Sequence, residues 1–111
     1  MPLMQISTSS EIVEKENLLK KSSIFLSDLL GKSENYVMVK LNDRSQIYFS
    51  GNDEPCSLVE IRSIGSLNPS KMAKPICQFI SLETNIPIDR IYINFVDIAP
   101  SMWAWNERTF G

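Results

Sequence analysis

The chain begins with Met1 and Pro2 and contains no histidine. Removal of an initiator methionine in front of proline leaves a secondary amine at the N-terminus. A free α-amino group has a pKa of roughly 7.7–8.0, and burial or a nearby cation lowers that pKa. Histidine, the usual proton-transfer side chain near neutral pH, is missing. The amine of Pro2 is therefore the best general base that this sequence offers, although a Met-Pro pair is weak evidence by itself.

Two short segments have residue types that could bind an anion. Gly31-Lys32 places a cation just beyond a predicted helix C-terminus, and Ser63-Ile64-Gly65 lies at a predicted strand end. Backbone N–H groups at such a strand end can be left free for an anion. Both segments also have plainer explanations, because Lys32 could simply compensate the helix dipole and residues 63–65 could form an ordinary turn. The residues alone leave these alternatives open.

Two further groups could shape a pocket. Tyr92 and Asn94 lie on one face of a predicted strand, within the run Asp89-Arg90-Ile91-Tyr92-Ile93-Asn94. They could face a site or form hydrogen bonds within the structure. Trp103, Trp105 and Phe110 could wall an apolar pocket, but packing in a core or an interface is the more common role of such residues.

The composition argues against several classes of protein. The net charge is −2, which gives no indication of a nucleic acid or an anionic membrane as partner. We expect no membrane span, because no apolar stretch approaches ~20 residues. We also expect no signal peptide, because the N-terminus lacks a charged segment followed by an apolar run. Cys56 and Cys77 are too few for a disulfide framework, and without histidine they predict no metal site. Both are expected to be buried thiols.

The first half of the chain predicts a strand, a long helix and two short strands. Residues 3–8 alternate in polarity like a strand, and Thr8-Ser9-Ser10-Glu11 has the spacing of a capping box. An apolar stripe predicts a helix over 12–30, which Gly31 would end in a left-handed conformation. Strands are predicted over 36–41 and 46–49.

The second half repeats this pattern. A strand is predicted over 56–64, followed by a helix that begins at Asn68-Pro69 and runs to about residue 84. Pro75 conflicts with that helix, because an interior proline removes a hydrogen bond and costs ~3 kcal/mol. We therefore expect either a kink at Pro75 or a true helix start near Lys74. The final strand, 91–96, is apolar enough to be covered on both faces.

The resulting order, β-α-β-β-β-α-β with an aromatic tail, predicts a single α/β (α+β) domain over 1–111. Two right-handed β-α-β units would place both helices on one face of a mixed four-stranded sheet. No third helix is available to cover the opposite face. Other subunits are the natural cover, so we expect an oligomer.

In this order and at these spacings, the chain resembles the macrophage migration inhibitory factor family of the tautomerase superfamily over nearly its whole length. The resemblance implies a homotrimer whose three sheets enclose a central channel, with active sites between neighbouring subunits at the processed N-terminal proline. The segments that carry it are Met1-Pro2, Gly31-Lys32, Glu54-Pro55-Cys56, Ser63-Ile64-Gly65, residues 89–94, Trp105-Asn106 and Thr109-Phe110.

The resemblance also implies residue roles. Pro2 would be the catalytic base, and neither a cofactor nor a metal is expected. Lys32 and the Ile64 N–H would hold the carboxylate of a 2-keto acid. The other implied substrate-binding residues are Ser63 beside the anion site, Tyr36, Trp105 and Phe110 around the apolar part, and Tyr92 and Asn94 from the adjacent subunit.

These roles lead us to expect a tautomerase for phenylpyruvate-like keto–enol pairs, with D-dopachrome-type compounds as second substrates. Two alternatives stay open, a cytokine-like interaction protein with a vestigial or ligand-binding pocket, and a different amine-dependent reaction. We expect a cytoplasmic protein, although members of the resembled family can leave cells without a signal peptide.

The chain departs from the family pattern at several positions. Val59 replaces the second cysteine of a C-x-x-C pair, which predicts no thiol–disulfide oxidoreductase activity. Trp103 stands where a small aliphatic residue is common, and it is expected to narrow or flatten the pocket mouth. Arg62, beside the anion site, is expected to favour acidic substrates. Phe95-Val96 replace tyrosines that usually follow the Tyr-Ile-Asn run.

Overall fold

A computed structural model describes all of residues 1–111, and its two halves each contain a strand, a long helix and a second strand. A small hairpin follows the second half. The strands are β1 (Leu3–Thr8), β2 (Met38–Asn42), β3 (Ser57–Ser63), β4 (Ile91–Asp97), β5 (Ala104–Trp105) and β6 (Arg108–Thr109). The helices are α1 (Lys15–Leu30) and α2 (Pro69–Thr84), with 3₁₀ turns at Glu34–Tyr36, Ile88–Arg90 and Pro100–Met102.

The main sheet has the strand order β2-β1-β3-β4, and β5 pairs only with β6. β1 is parallel to β2 and β3 is parallel to β4, whereas the two central strands, β1 and β3, are antiparallel to each other. The predicted mixed four-stranded sheet built from two β-α-β units is confirmed.

One face of the sheet packs against both helices. Alternate residues of the central strands, such as Met4 and Ile61, are completely buried there. Ile76 and Ile80 of α2 are equally buried. The two helices also meet each other, through the rings of Phe25 and Phe79, which stack with centroids 4.2 Å apart. This apolar layer is the core of the chain.

The opposite face of the sheet has no cover within the chain. Tyr92 of β4 is 63% exposed and Met38 of β2 is 65% exposed. β4 is therefore covered on one face only, and the expected cover on its second face is not supplied by this chain. None of the helices is both long and apolar enough to cross a bilayer.

The predicted capping box is not formed, and α1 begins at Lys15 rather than at residue 12. The Thr8 hydroxyl is engaged elsewhere, because it donates to the Cys56 carbonyl and accepts the Ser10 N–H. The Ile12 N–H is taken by the Asp43 carboxylate at 3.0 Å. These contacts tie residues 8–12 to distant loops, so the helix starts later. The predicted C-terminal Gly31 is left-handed, with φ +64°.

The predicted strand over 46–49 is wrong, and the strand predicted to begin at Tyr36 begins at Met38. Phe49 pairs only with Asn52, across a tight turn. Residues 46–49 come after β2, which is an edge strand, and no strand of the sheet lies beside them to pair with. Tyr36 lies in a 3₁₀ turn that the Ser33 hydroxyl caps by accepting the Asn35 N–H.

Helix α2 runs without interruption from Pro69 to Thr84, with Pro75 inside it. The predicted start at Asn68-Pro69 is confirmed, and the alternative start near Lys74 is wrong. An interior proline costs ~3 kcal/mol. Burial of Ile76 and Ile80 stabilises the helix by an amount of the same order, since each fully buried side chain of this size contributes about 1.5–3 kcal/mol.

Ile80→Ala is expected to lower the free energy of unfolding by about 2–5 kcal/mol, because it leaves a cavity between α2 and the sheet. Leu82 lies on the same helix but is 79% exposed, so Leu82→Ala should change stability by less than about 0.5 kcal/mol. Urea unfolding followed by circular dichroism measures both. Equal effects of the two changes would contradict the assigned core.

Candidate functional site

The N-terminus lies between two strands at one end of the sheet. Leu3 of β1 is opposite Met38 on one side and Arg62 on the other. The Pro2 carbonyl accepts the Met38 N–H at 3.0 Å, and the proline ring is fully buried on the helix-covered face. Continuing the antiparallel register by one residue brings Pro2 opposite Ser63. The central position of β1 therefore holds the N-terminus between the ends of β2 and β3.

Pro2 borders a cavity of about 220 Å³ with a mainly apolar lining. Tyr36 and Trp105 form one wall, where their rings meet edge to face with centroids 5.9 Å apart. Phe110 is held in place by its N–H, which donates to the Trp103 carbonyl at 3.0 Å. The lining residues are Met1, Pro2, Asn35, Tyr36, Val37, Met38, Trp103, Ala104, Trp105 and Phe110. The structure thus brings four sequence-predicted site residues, Pro2, Tyr36, Trp105 and Phe110, to one cavity.

Lys32 is fixed close to the same N-terminus. It follows the left-handed Gly31, and its N–H donates to the Ser27 carbonyl at 3.1 Å. The Ser27 hydroxyl donates in turn to the Lys32 carbonyl. Burial, and to a smaller extent the charge of Lys32, lower the pKa of the Met1 amine below its ordinary value. The positive charge of Lys32 is therefore close enough to affect the N-terminal amine, which lies at the cavity.

The segment after β3 offers a free donor. The Gly65 N–H is taken by the Asp97 carboxylate at 3.0 Å, whereas the Ile64 N–H has no hydrogen bond within the chain. The Ser63 hydroxyl is fully buried and also lacks a partner. Ser63 and Ile64 are therefore at the same end of the sheet as Pro2, and they present unused hydrogen-bonding groups there.

Tyr92 and Asn94 do not reach the Pro2 cavity of their own chain. Tyr92 is aligned with Leu58, five residues along β3 from the position opposite Pro2, which amounts to about 17 Å along the strands. Asn94 is about 10 Å away along the strands by the same measure. Both residues lie on the uncovered face. Within one chain they therefore do not line the same cavity as Pro2.

Several cavity residues were not predicted as site residues. Met38 and Val37 line the cavity because β2 pairs with β1, and this register is not visible in the sequence. Trp103 was expected either to wall an apolar pocket or to pack in a core, and it lines the cavity, although it was not among the residues assigned to substrate binding. Arg62 lies on the uncovered face and forms an ion pair of 3.7 Å with Glu60, so it points away from the buried side of Pro2.

Arg90 forms a clamp around the loop that follows β2. Its guanidinium donates to the carbonyls of Phe49, Glu54 and Pro55 at 3.2, 3.0 and 2.9 Å. It also lies over the Phe49 ring, 5.0 Å from the centroid, and that ring meets Tyr92 edge to face at 4.8 Å. The sequence showed Arg90 only as part of the run 89–94. Its contacts connect the loop to the base of β4.

The side chains show no metal centre. No group of three or more His, Cys, Asp or Glu side chains is placed to hold a metal ion. Cys56 is buried as predicted, but Cys77 is only partly buried, and burial raises the pKa of its thiol. The Cys77 thiol donates to the Ile88 carbonyl at 3.4 Å.

The family model for macrophage migration inhibitory factor (MIF) matches residues 1–111. This chain belongs to the macrophage migration inhibitory factor family. It is 38% identical to the MIF homolog of Brugia malayi over 96 residues, with 84% of each chain covered. It is 36% identical to the Trichuris trichiura homolog in an alignment that covers 99% of this chain and all of that one.

Solved structures of MIF homologues have the same fold as this chain. The MIF homologue of Prochlorococcus marinus superposes on this chain with a TM-score of 0.93 and 41% sequence identity, covering 98% of this chain and 99% of that one. Membership of the MIF family, within the tautomerase superfamily, confirms the resemblance on which the site prediction was based.

Arg90→Ala is expected to lower the free energy of unfolding by about 1–2 kcal/mol, because three carbonyls lose a charged donor and Phe49 loses its cation. Arg44→Ala is the matched control, since Arg44 forms only an exposed ion pair with Glu11 and should contribute less than about 1 kcal/mol. Thermal unfolding of both variants tests this. An Arg90→Ala protein as stable as the control would argue against the clamp.

Proposed function

We propose that this protein, once Met1 is removed, is a cofactor-free keto–enol tautomerase for phenylpyruvate-like 2-keto acids, with the Pro2 amine as general base and acid. The observation that carries the proposal is the position of Pro2, which is buried at the inner end of an aromatic cavity with Lys32 nearby. In the chain that retains Met1, the Pro2 nitrogen is part of an amide and cannot act as a base. Removal of Met1 both frees this nitrogen and empties the space that Met1 occupies in the cavity.

The electrostatics favour a neutral amine at Pro2. Burial and Lys32 already lower the pKa of the Met1 amine. Pro2 is more deeply buried than Met1, so the same two effects act on its amine. Burial penalises the charged form, and the positive charge of Lys32 disfavours a second cation. Both effects therefore favour the neutral form of the Pro2 amine, which is the form that a general base requires.

The cavity supports a simple proton-transfer cycle. The carboxylate of the substrate binds Lys32 and the free Ile64 N–H, and its aromatic ring packs among Tyr36, Trp105 and Phe110. The Pro2 amine takes the proton from the carbon next to the ketone and returns it to the enolate oxygen. In the reverse direction it takes the enol proton and delivers it to carbon. Donors near the oxygen stabilise the enolate, and no cofactor takes part.

The assembly that we propose is a homotrimer with shared sites and a central channel. The uncovered face of the sheet supports it, because Tyr92, Met38 and Leu58 are exposed there in the single chain. Tyr92 and Asn94 would then enter the Pro2 cavity of the adjacent subunit. We place the protein in the cytoplasm, with secretion independent of a signal peptide left open.

A comparison of three forms tests whether Pro2 is the base. They are processed wild-type protein, Pro2→Gly protein and protein that retains Met1. Phenylpyruvate ketonisation, followed by ultraviolet absorbance, should fall by about 10²-fold or more in both altered forms, since positioned acid–base groups contribute about 10²–10⁴-fold. Mass spectrometry confirms the N-terminus of each sample. Equal rates in all three forms would refute Pro2 as the base.

Mixed trimers test whether sites are shared. Pro2→Gly protein and Tyr92→Phe/Asn94→Ala protein are each expected to be weakly active. After joint unfolding and refolding, roughly a quarter of the interfaces combine an intact Pro2 with an intact Tyr92 and Asn94, by random assembly of a cyclic trimer. Activity should recover in that proportion, with each variant refolded alone as control. A monomer in sedimentation, or a trimer without recovery, would contradict the shared site.

A second candidate is a cytokine-like interaction protein in which the cavity binds ligands without turnover. The observation in its favour is that the relatives are named for migration inhibition rather than for a reaction. Saturable binding of phenylpyruvate by processed protein, with no ketonisation or D-dopachrome conversion, would favour this candidate over the enzyme.

A further inference from the structure

The Ser63 hydroxyl is buried without a hydrogen-bond partner. The residue has no exposed surface, and its Oγ is one of two buried side-chain polar atoms without a hydrogen-bond partner in the chain. The other is Ser22 Oγ, on α1. Buried polar atoms are nearly always paired, so an unpaired one requires an explanation. The surroundings of Ser63 provide one.

Ser63 lies next to the amine-bearing residue. The β1–β3 register pairs Leu3 with Arg62, so Ser63 is opposite Pro2. Both side chains are buried on the helix-covered face, and side chains directly opposite each other in an antiparallel pair have Cβ atoms about 4.5–5.5 Å apart. While Met1 is attached, the Pro2 nitrogen has neither an N–H nor an available lone pair. It therefore cannot pair with the Ser63 hydroxyl in that form.

We propose that Ser63 is a positioning residue for the Pro2 amine, whose hydroxyl gains its partner when Met1 is removed. Processing gives Pro2 one N–H and a lone pair when neutral, and two N–H groups when protonated. The Ser63 hydroxyl donates to the lone pair of the neutral amine and accepts an N–H from the protonated amine. It thereby holds the amine in one orientation through both halves of the proton transfer. This inference rests on the proposed function, because it concerns the same base.

The two hydrogen bonds differ in strength, so Ser63 should shift the pKa of Pro2 in a direction that can be measured. A hydrogen bond to a charged group is roughly twice as strong as a neutral one. Ser63 therefore stabilises the protonated amine more than the neutral amine and raises the pKa of Pro2. Burial and Lys32 act in the opposite direction. Loss of the hydroxyl should lower that pKa, and only by an amount that a single hydrogen bond can supply.

Several other groups at this end of the sheet also carry charge or titrate. None of them changes in the variants used below, so their contributions cancel in the comparison. They are Lys32 after α1, Glu34 and Tyr36 before β2, Arg62 on the opposite face of β3, Asp97 at the end of β4, and Glu107 and Arg108 in the hairpin.

The test is a direct titration of the Pro2 amine in processed full-length protein labelled with ¹⁵N-proline and followed by NMR. Ser63→Ala should lower the pKa of Pro2 by about 0.5–1 unit. Ser22→Ala is the matched control, because it removes the other unpaired buried hydroxyl, eight residues before Leu30 and so about 12 Å from the end of α1. It should leave the titration unchanged.

The outcomes separate this inference from the proposed function. An unchanged pKa in Ser63→Ala, or the same shift in Ser22→Ala, would overturn the role of Ser63. A shift in Ser63→Ala alone, reversed by Ser63→Thr, would support it even if the protein failed to convert phenylpyruvate, since the titration needs no substrate. If conversion occurs, the pH profile of kcat/KM should move in the same direction as the titration.

Discussion

The candidate site depends on the place of β1 in the centre of the sheet. Because β1 hydrogen-bonds to β2 on one side and β3 on the other, its first residues are held from both sides. N-termini are usually poorly ordered unless a strand or a docked helix holds them. Here the strand fixes Pro2, buries its ring and leaves the chain end at the aromatic cavity. The cavity walls lie around this fixed end, the charge of Lys32 acts on it, and Ile64 follows the β3 residue opposite Pro2.

The second constraint is the unequal cover of the two sheet faces. Both helices pack on one face, where they bury Met4, Ile61 and Ile80 completely. The other face is left with Tyr92, Met38 and Leu58 exposed. The same arrangement separates Tyr92 from Pro2 within one chain. Assembly and catalysis are thus linked in our proposal, since the contact that would cover the exposed face would also complete the cavity.

Sequence patterns predicted the elements whose signals are local. The stripe of α1, the Asn68-Pro69 start of α2 and the left-handed Gly31 were predicted correctly. The capping box failed because Thr8 forms a long-range contact with Cys56, and the strand over 46–49 failed because it has no neighbouring strand. Pro75 left the choice between a kinked helix and a later helix start unresolved, since the buried packing of Ile76 and Ile80 could not be read from the local sequence.

By itself, the sequence determined the family, the two β-α-β units and the residues that could do chemistry around an N-terminal proline. Only the tertiary structure decided which of them share a cavity. It brought Pro2, Tyr36 and Trp105 together, and it placed Tyr92 two strands away. The physical reason is that strand register and the choice of buried face come from pairings between distant segments. The Ser63 hydroxyl shows this most clearly, because only the fold makes it both buried and unpaired.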